Sequence, residues 1–168
     1  MPKIIENLKE RLIAEAQKQI EDSGYSAVTI RSVAKACGVG VGTVYNYFPS
    51  KEALVATHLL EDWNLSVQII NRTAQGATEP MPAMKCIYDQ LVSFSRRHQV
   101  IFRDETATAG FAGSFSQYHE LLRSQLAEPL RKFCADDFTP QFAAESLLTW
   151  TMAGKSFEEI FEILKKLF

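Results

Sequence analysis

Between Tyr25 and Lys51 the chain carries three basic residues, Arg31, Lys35 and Lys51, and no carboxylate. Cations without acids suit a polyanion, even where the rest of a surface is not basic. The spacing inside this stretch adds a shape. Thr29 to Leu54 reads TIRSVAKACGVGVGTVYNYFPSKEAL: a helix, a tight glycine turn, a second short helix, an aromatic cluster and the start of a third helix. That is the layout of a helix-turn-helix, in which the second helix is carried into the major groove of DNA. Ala34 stands where two helices cross closely. Four residues on, Gly38 takes the turn, where a left-handed backbone costs a glycine little. Val33, Val39 and Val44 are spaced to fill the wedge between the helices, Cys37 fits as a small buried residue, and Thr29 is placed to cap the first of them.

The elements that must hold this stretch are helical too. Ile5, Leu8, Leu12, Ala16 and Ile20 recur at helical steps and predict a helix from about Lys3 to Ser23, ended by Gly24. The motif helices follow at about Thr29–Ala36 and Gly40–Tyr47. Pro49-Ser50 breaks the chain, and Ser50 caps a long helix from Lys51 to about Gln75. After a Gly/Pro loop, further helices are predicted at about Ala83–His98, Ser116–Ala135 with a kink at Pro129, Pro140–Ala153 and Ser156–Phe168. Residues 101–116 read as one short helix and a turn. Strand-like alternation of useful length is missing, so the chain is read as all-α, with about nine helices.

Composition limits the function. The 168 residues have 46% hydrophobic content, enough for one or two small cores, and a net charge of −2 that is unevenly spread. Residues 1–51 hold seven Lys/Arg against five Asp/Glu, and residues 52–168 hold eleven against fifteen. Cys37, Cys86 and Cys134 are scattered, which argues against disulfides and zinc. His58, His98 and His119 lack metal-ligand spacing. The N-terminal residues lack the apolar core of a signal peptide, and no run approaches membrane-spanning length, so a reduced, cytoplasmic protein without a membrane partner is expected. A nucleophile elbow, a P-loop, a dinucleotide fingerprint and the Glu-x-x-His pairs of di-iron bundles are all missing. The expectation is therefore no enzyme, no catalytic residue, no metal and no cofactor.

The first fifty-odd residues resemble the DNA-binding domain of TetR/AcrR-type transcriptional regulators. The likeness rests on the amphipathic first helix ending in Gly24-Tyr25, on Thr29, Ala34 and Gly38-Val39, and above all on Gly42-Thr43-Val44-Tyr45-x-Tyr47-Phe48-x-x-Lys51-Glu52-x-Leu54. It implies a three-helix DNA-binding domain over residues 1–50 and a helical ligand-binding and dimerisation domain over residues 51–168. It also implies roles. Thr29, Thr43, Tyr45, Tyr47 and Lys51 would contact phosphates, which fixes register without reading sequence. Arg31, Val41, Gly42 and Asn46 would meet base edges, Arg31 with guanine and Asn46 with adenine. The family often has Ser where this chain has Gly40 and a basic or polar residue at Val41, which could instead touch a thymine methyl.

In the second half, Trp63, Tyr88, Phe102 and Tyr118 are the candidate pocket residues for a small, largely apolar effector. The last two helices, about 140–168, have more apolar residues than one core face needs. Phe142, Leu147, Leu148, Thr151 and Met152, with Phe157, Ile160, Phe161, Leu164, Leu167 and Phe168, make up this stock, and a monomer would expose it as a large apolar patch. Pairing with a second copy would make a four-helix bundle and set two recognition helices about 34 Å apart, so the double-stranded DNA operator would be palindromic. By resemblance the protein is a repressor released by its effector. An activator, or a second half that only binds protein, fits the same residues.

Overall fold

Leu8, Leu12, Ile13, Ala16 and Ile20 share one side of α1 (Leu8–Ser23), and all are buried. A computed structural model describes residues 7–168 of the chain; the expected helix start at Lys3 and the apolar Ile5 lie outside the described residues. Gly24 ends α1 at φ +82°, its N–H donating to the Ile20 carbonyl at 2.8 Å. A 3₁₀ turn, Tyr25–Ala27, leads to α2 (Ile30–Cys37), α3 (Val41–Tyr45) and the long α4 (Lys51–Gly76). Ser50 accepts from the Ala53 N–H at 3.1 Å and caps α4 as the sequence predicts.

The chain forms two compact units. The first takes the described part of Met1–Glu61 together with His98–Ala112. Its core joins Leu12, Tyr25, Val33, Ala34, Val44, Phe48 and Leu54 with Ile101 and Ala107. The compact units thus part at Glu61/Asp62, inside α4 and beyond residue 50, and the first regains a later segment. That segment holds α6 (Gln99–Phe102) and α7 (Glu105–Phe111) with a 3₁₀ turn, Ala112–Ser114, so residues 101–116 carry more helix than the one short piece predicted. Asp104 makes the break between them: its Oδ1 accepts from the N–H groups of Thr106 at 2.9 Å and Ala107 at 3.0 Å and starts α7 afresh.

The second unit takes Asp62–Arg97 and Gly113–Phe168. It contains the rest of α4, then α5 (Pro80–Arg97), α8 (Phe115–Ala127), α9 (Thr139–Met152) and α10 (Phe157–Leu164). Trp63, Met84, Ile87, Leu126, Leu130, Leu147 and Leu164 fill its core. The expected helix to Ala135 is shorter. α8 stops at Ala127 and the chain tightens into a 3₁₀ helix, Glu128–Phe133, because Pro129 lacks an N–H and crowds the preceding turn. Lys132 then reaches the end of α4, its Nζ donating to the carbonyls of Ala74 at 2.6 Å and Ala77 at 2.7 Å. This satisfies acceptors that have no partner inside the helix. α10 opens on a capping box between Ser156 and Glu159.

Candidate nucleic-acid interface

The α2–α3 pair is built by local rules. The Thr29 Oγ1 accepts from the Ser32 N–H at 3.0 Å, and the Thr29 N–H donates to the Ser32 Oγ at 3.1 Å, a reciprocal cap. The cap uses an oxygen lone pair of Thr29, so this hydroxyl keeps its own hydrogen to donate outward. α2 ends at Gly38, φ +69° and ψ +32°, a conformation that costs most residues energy but not glycine. The Val39 N–H then bonds back to the Ala34 carbonyl at 3.0 Å. Ala34 is buried at the crossing, Val33 and Val44 are fully buried, and Cys37 is a buried free thiol whose pKa is raised by burial.

With that wedge closed, α3 turns a defined set of groups outward. Tyr45 is 52% exposed and Tyr47 46%. Thr29, Arg31, Lys35, Gly42 and Asn46 are exposed, while Thr43 is half-buried. Val41 is half-buried and packs on the first core. Phe48 is core. The structure therefore brings Thr29, Arg31, Gly42, Thr43, Tyr45, Asn46 and Tyr47 onto one short element and the helix leading into it, with hydroxyls and an amide among cations and no acid in the intervening sequence.

Lys51 has a second use that the sequence does not reveal. Its Nζ donates to the Tyr25 carbonyl at 3.1 Å and sits 4.0 Å from the centroid of the Tyr25 ring. One of the three donors of the ammonium thus ties the start of α4 to the loop before α2. The Tyr25 hydroxyl donates to the Glu52 carboxylate at 3.3 Å. The Glu52 carboxyl is held below its ordinary pKa by its own backbone N–H, against the opposing effect of burial, and further by Ser50 and Tyr25. Burial, then Glu52, pushes the Tyr25 phenol well above its ordinary value.

α7 closes on the same corner. The Ser26 hydroxyl donates to the Asp104 Oδ2 at 2.8 Å, and the Phe111 ring lies 6.2 Å from that of Tyr25. At Gly110 a Cβ would stand 3.1 Å from the Glu52 Cγ, tighter than ordinary packing, so a hydrogen is what fits there. Sequence reading missed this group because its pairs join segments far apart in the chain, Ser26 and Asp104 being 78 positions from one another.

The four pocket candidates fall in both units. Phe102 is 43% exposed on α6 of the first unit. Trp63 is core of the second unit, its Nε1 donating to the Gln125 Oε1 at 2.8 Å and its ring edge-on to Phe94. Tyr88 donates to the Lys155 carbonyl at 3.1 Å, and Tyr118 is half-buried on α8. A groove of about 420 Å³ lies elsewhere, between α9 and α10, lined by Phe142, Trp150, Lys155, Glu159, Ile160 and Ile163. Of the apolar residues the sequence marks as surplus in this segment, Phe142, Met152 and Leu167 are exposed, while Leu147, Leu148, Phe157, Ile160 and Leu164 are buried as core. Trp150 and Ile163, which the sequence reading did not count in that surplus, are exposed as well. Among the described residues no group of His, Cys, Asp and Glu could hold a metal ion, and no helix is long and apolar enough to cross a membrane.

Residues 12–57 match the family model for bacterial regulatory proteins of the tetR family. The chain is 26% identical over 127 residues to the transcriptional repressor KstR of Mycobacterium tuberculosis strain H37Rv, a match covering 73% of this chain and 58% of KstR. Matches to the first curated relatives span 35% to 58% of those proteins' own length. Among solved structures, the TetR family repressor AlkX of Dietzia sp. strain DQ12-45-1b superposes with a TM-score of 0.66 at 18% identity, covering 94% of this chain and 97% of that one. The regulator FadR of Bacillus subtilis, solved in complex with stearoyl-CoA, gives a TM-score of 0.55 at 17% identity, covering 92% and 96%. At such identities the two structures speak for the fold.

Proposed function

We propose that the chain, whose residues 12–57 match the tetR family model, is a TetR-type transcriptional repressor that binds a palindromic operator as a homodimer and leaves it when a small, largely apolar effector binds. Residues 1–50 carry DNA recognition, and residues 51–168 carry effector binding and dimerisation. Thr29, Thr43, Tyr45, Tyr47 and Lys51 anchor phosphates. Arg31, Val41, Gly42 and Asn46 meet base edges. The observation that carries this reading is the outward face of α2 and α3: two exposed tyrosines, an exposed arginine and an amide on a helix pair fixed from behind by a fully buried wedge. Tyr45 at the end of α3 and Tyr47 in the turn beyond it each leave about half of the ring in water, more than packing within the chain asks for.

The exposed apolar face of α9 and α10 supports a dimer through residues 140–168, since a monomer would leave Trp150 and Ile163 in water. The words "repressor" for KstR and AlkX support repression, and FadR's acyl thioester supports an apolar effector. The effector site draws on Trp63, Tyr88 and Tyr118, with Phe102 as the candidate nearest in sequence to α7. Its ligand would bind the DNA-incompetent state better and move α4 as a lever; equal affinity for both states would shift nothing. The protein works in the cytoplasm.

The test starts from a duplex selected by the protein from a randomised library. Binding should weaken steeply with salt. Tyr45→Ala should weaken it further, and Lys51→Ala should also lower the salt slope by about one per subunit. Unchanged affinity and slope in both variants would remove the phosphate assignments. Trp150→Glu should yield a monomer by size-exclusion chromatography; a wild-type protein that is itself monomeric would end the dimer proposal.

A further inference from the structure

We propose that Arg11 and Gln19, both on α1, are positioning residues for DNA binding: they clamp α2 by its two ends and so set where Thr29, Arg31 and the turn into α3 meet the duplex. The inference rests on the DNA-binding reading above and assigns the regulator two residues that touch no DNA.

At the start of α2, the Ser32 hydroxyl donates to the Gln19 Oε1 at 2.6 Å. Ser32 is the partner of Thr29 in the cap, receiving the Thr29 N–H on its oxygen. A serine hydroxyl has one hydrogen. The Gln19 Oε1 at 2.6 Å and the Thr29 carbonyl at 2.8 Å both lie within reach of it, and the shorter contact, to Gln19, ties the Ser32 side chain to α1 in the rotamer that the cap needs. The Thr29 oxygen is thereby held on the Ser32 N–H at 3.0 Å, an accepting role that leaves its own hydrogen available to donate. Gln19 is in turn oriented by Glu15, whose Oε1 accepts from the Gln19 Nε2 at 2.7 Å.

At the other end of α2, the Arg11 Nη2 donates to the Cys37 carbonyl at 3.1 Å. Cys37 is the last residue of α2, and its carbonyl has no partner inside the helix. A guanidinium there makes a charge-assisted bond and complements the negative end of the helix. The Cys37 thiol returns the contact, 3.7 Å from the Arg11 carbonyl. The next residue is Gly38, where the chain swings into α3.

The two ties bracket an apolar seam. Leu12 and Ala16 of α1 and Val33 and Ala34 of α2 are all buried at 1% exposure or less. Apolar contact alone resists separation but lets two helices slide or roll, being non-directional. Two hydrogen bonds at opposite ends of an eight-residue helix remove that freedom. Arg11 lies opposite the C-terminal end of α2 and Gln19 opposite the N-terminal end, so a lost tie tilts the helix at one end only.

The experiment uses the full chain, the selected duplex and three variants. Arg11→Met keeps the aliphatic stem and loses the donor; Gln19→Met is close in volume and loses the acceptor; Ser32→Ala removes the partner. Each methionine variant should weaken binding about tenfold, the scale of one charge-assisted or buried bond. Arg11→Met should do so with the wild-type salt slope. A slope lower by about one per subunit would show Arg11 on a phosphate and overturn the positioning role. In a Ser32→Ala background, Gln19→Met should add no further loss; full additivity would overturn the Gln19 half. Without DNA, hydrogen exchange at Gly38 and Val39 should quicken in Arg11→Met, and unchanged exchange there would overturn the clamp. That last arm does not need DNA, so it separates failure of the clamp from failure of the DNA-binding reading, which would show as no binding by the wild type.

Discussion

At the scale of single residues, several groups in the first unit serve the fold and the interface together. Thr29 caps α2 through an oxygen lone pair and keeps a hydrogen to donate. Lys51 holds the Tyr25 carbonyl and ring while remaining half-buried at the edge of the motif. Glu52 is one of two acids in this corner, with Asp104, and its folded pKa is depressed. A depressed carboxyl stabilises the fold above its unfolded value, about 4.3 for glutamate, and that contribution is lost as pH falls through the lower folded value. Wild type should therefore exceed Glu52→Gln in urea midpoint at neutral pH, and the gap should close as pH drops below the ordinary glutamate range. A gap independent of pH would mean that the Glu52 charge contributes nothing. Such double use explains what was legible here. The cap at Thr29, the turn at Gly38 and the wedge of Val33 and Val44 follow from spacing within about fifteen residues, so the sequence displays them. The partner of Lys51 lies twenty-six residues away, and nothing in local spacing announces it.

At the scale of elements, α7 is the piece that sequence reading placed least well. Periodicity says only that Ile101, Ala107 and Phe111 can sit on apolar faces. It does not say that they join the core of α1 to α4. The pairing of Ser26 with Asp104 and the fit of Gly110 against Glu52 decide that, and both join distant segments. Gly110→Val should lift α7 from this corner: its side chain has no room beside the Glu52 Cγ. The expected outcome is faster hydrogen exchange across Glu105–Phe111 and weaker operator binding, with the α3 face unaltered in sequence; unchanged exchange would show that α7 is not seated there. The other elements were read with small errors of known cause. Pro129 converts the end of a helix to 3₁₀ instead of kinking it. Trp63 and Tyr88 each carry a hydrogen bond to a distant residue that composition does not announce.

At the scale of the whole molecule, a net charge of −2 coexists with a stretch, Tyr25 to Lys51, free of carboxylates and proposed to face DNA. Binding must therefore be local, and the rest of the surface contributes little attraction. The second unit keeps its apolar surplus on α9 and α10, a face suited to a second copy, and two copies would present two α3 elements to one duplex. The central claim is that α2 and α3 are what DNA touches. Hydrogen exchange read by mass spectrometry, with and without the selected duplex, tests it most directly. The expected result is slowed exchange confined to peptides covering Thr29–Lys51, fading as salt is raised. Slowed exchange within Gly113–Phe168 with Thr29–Lys51 unchanged, or no binding at any salt concentration, would contradict it.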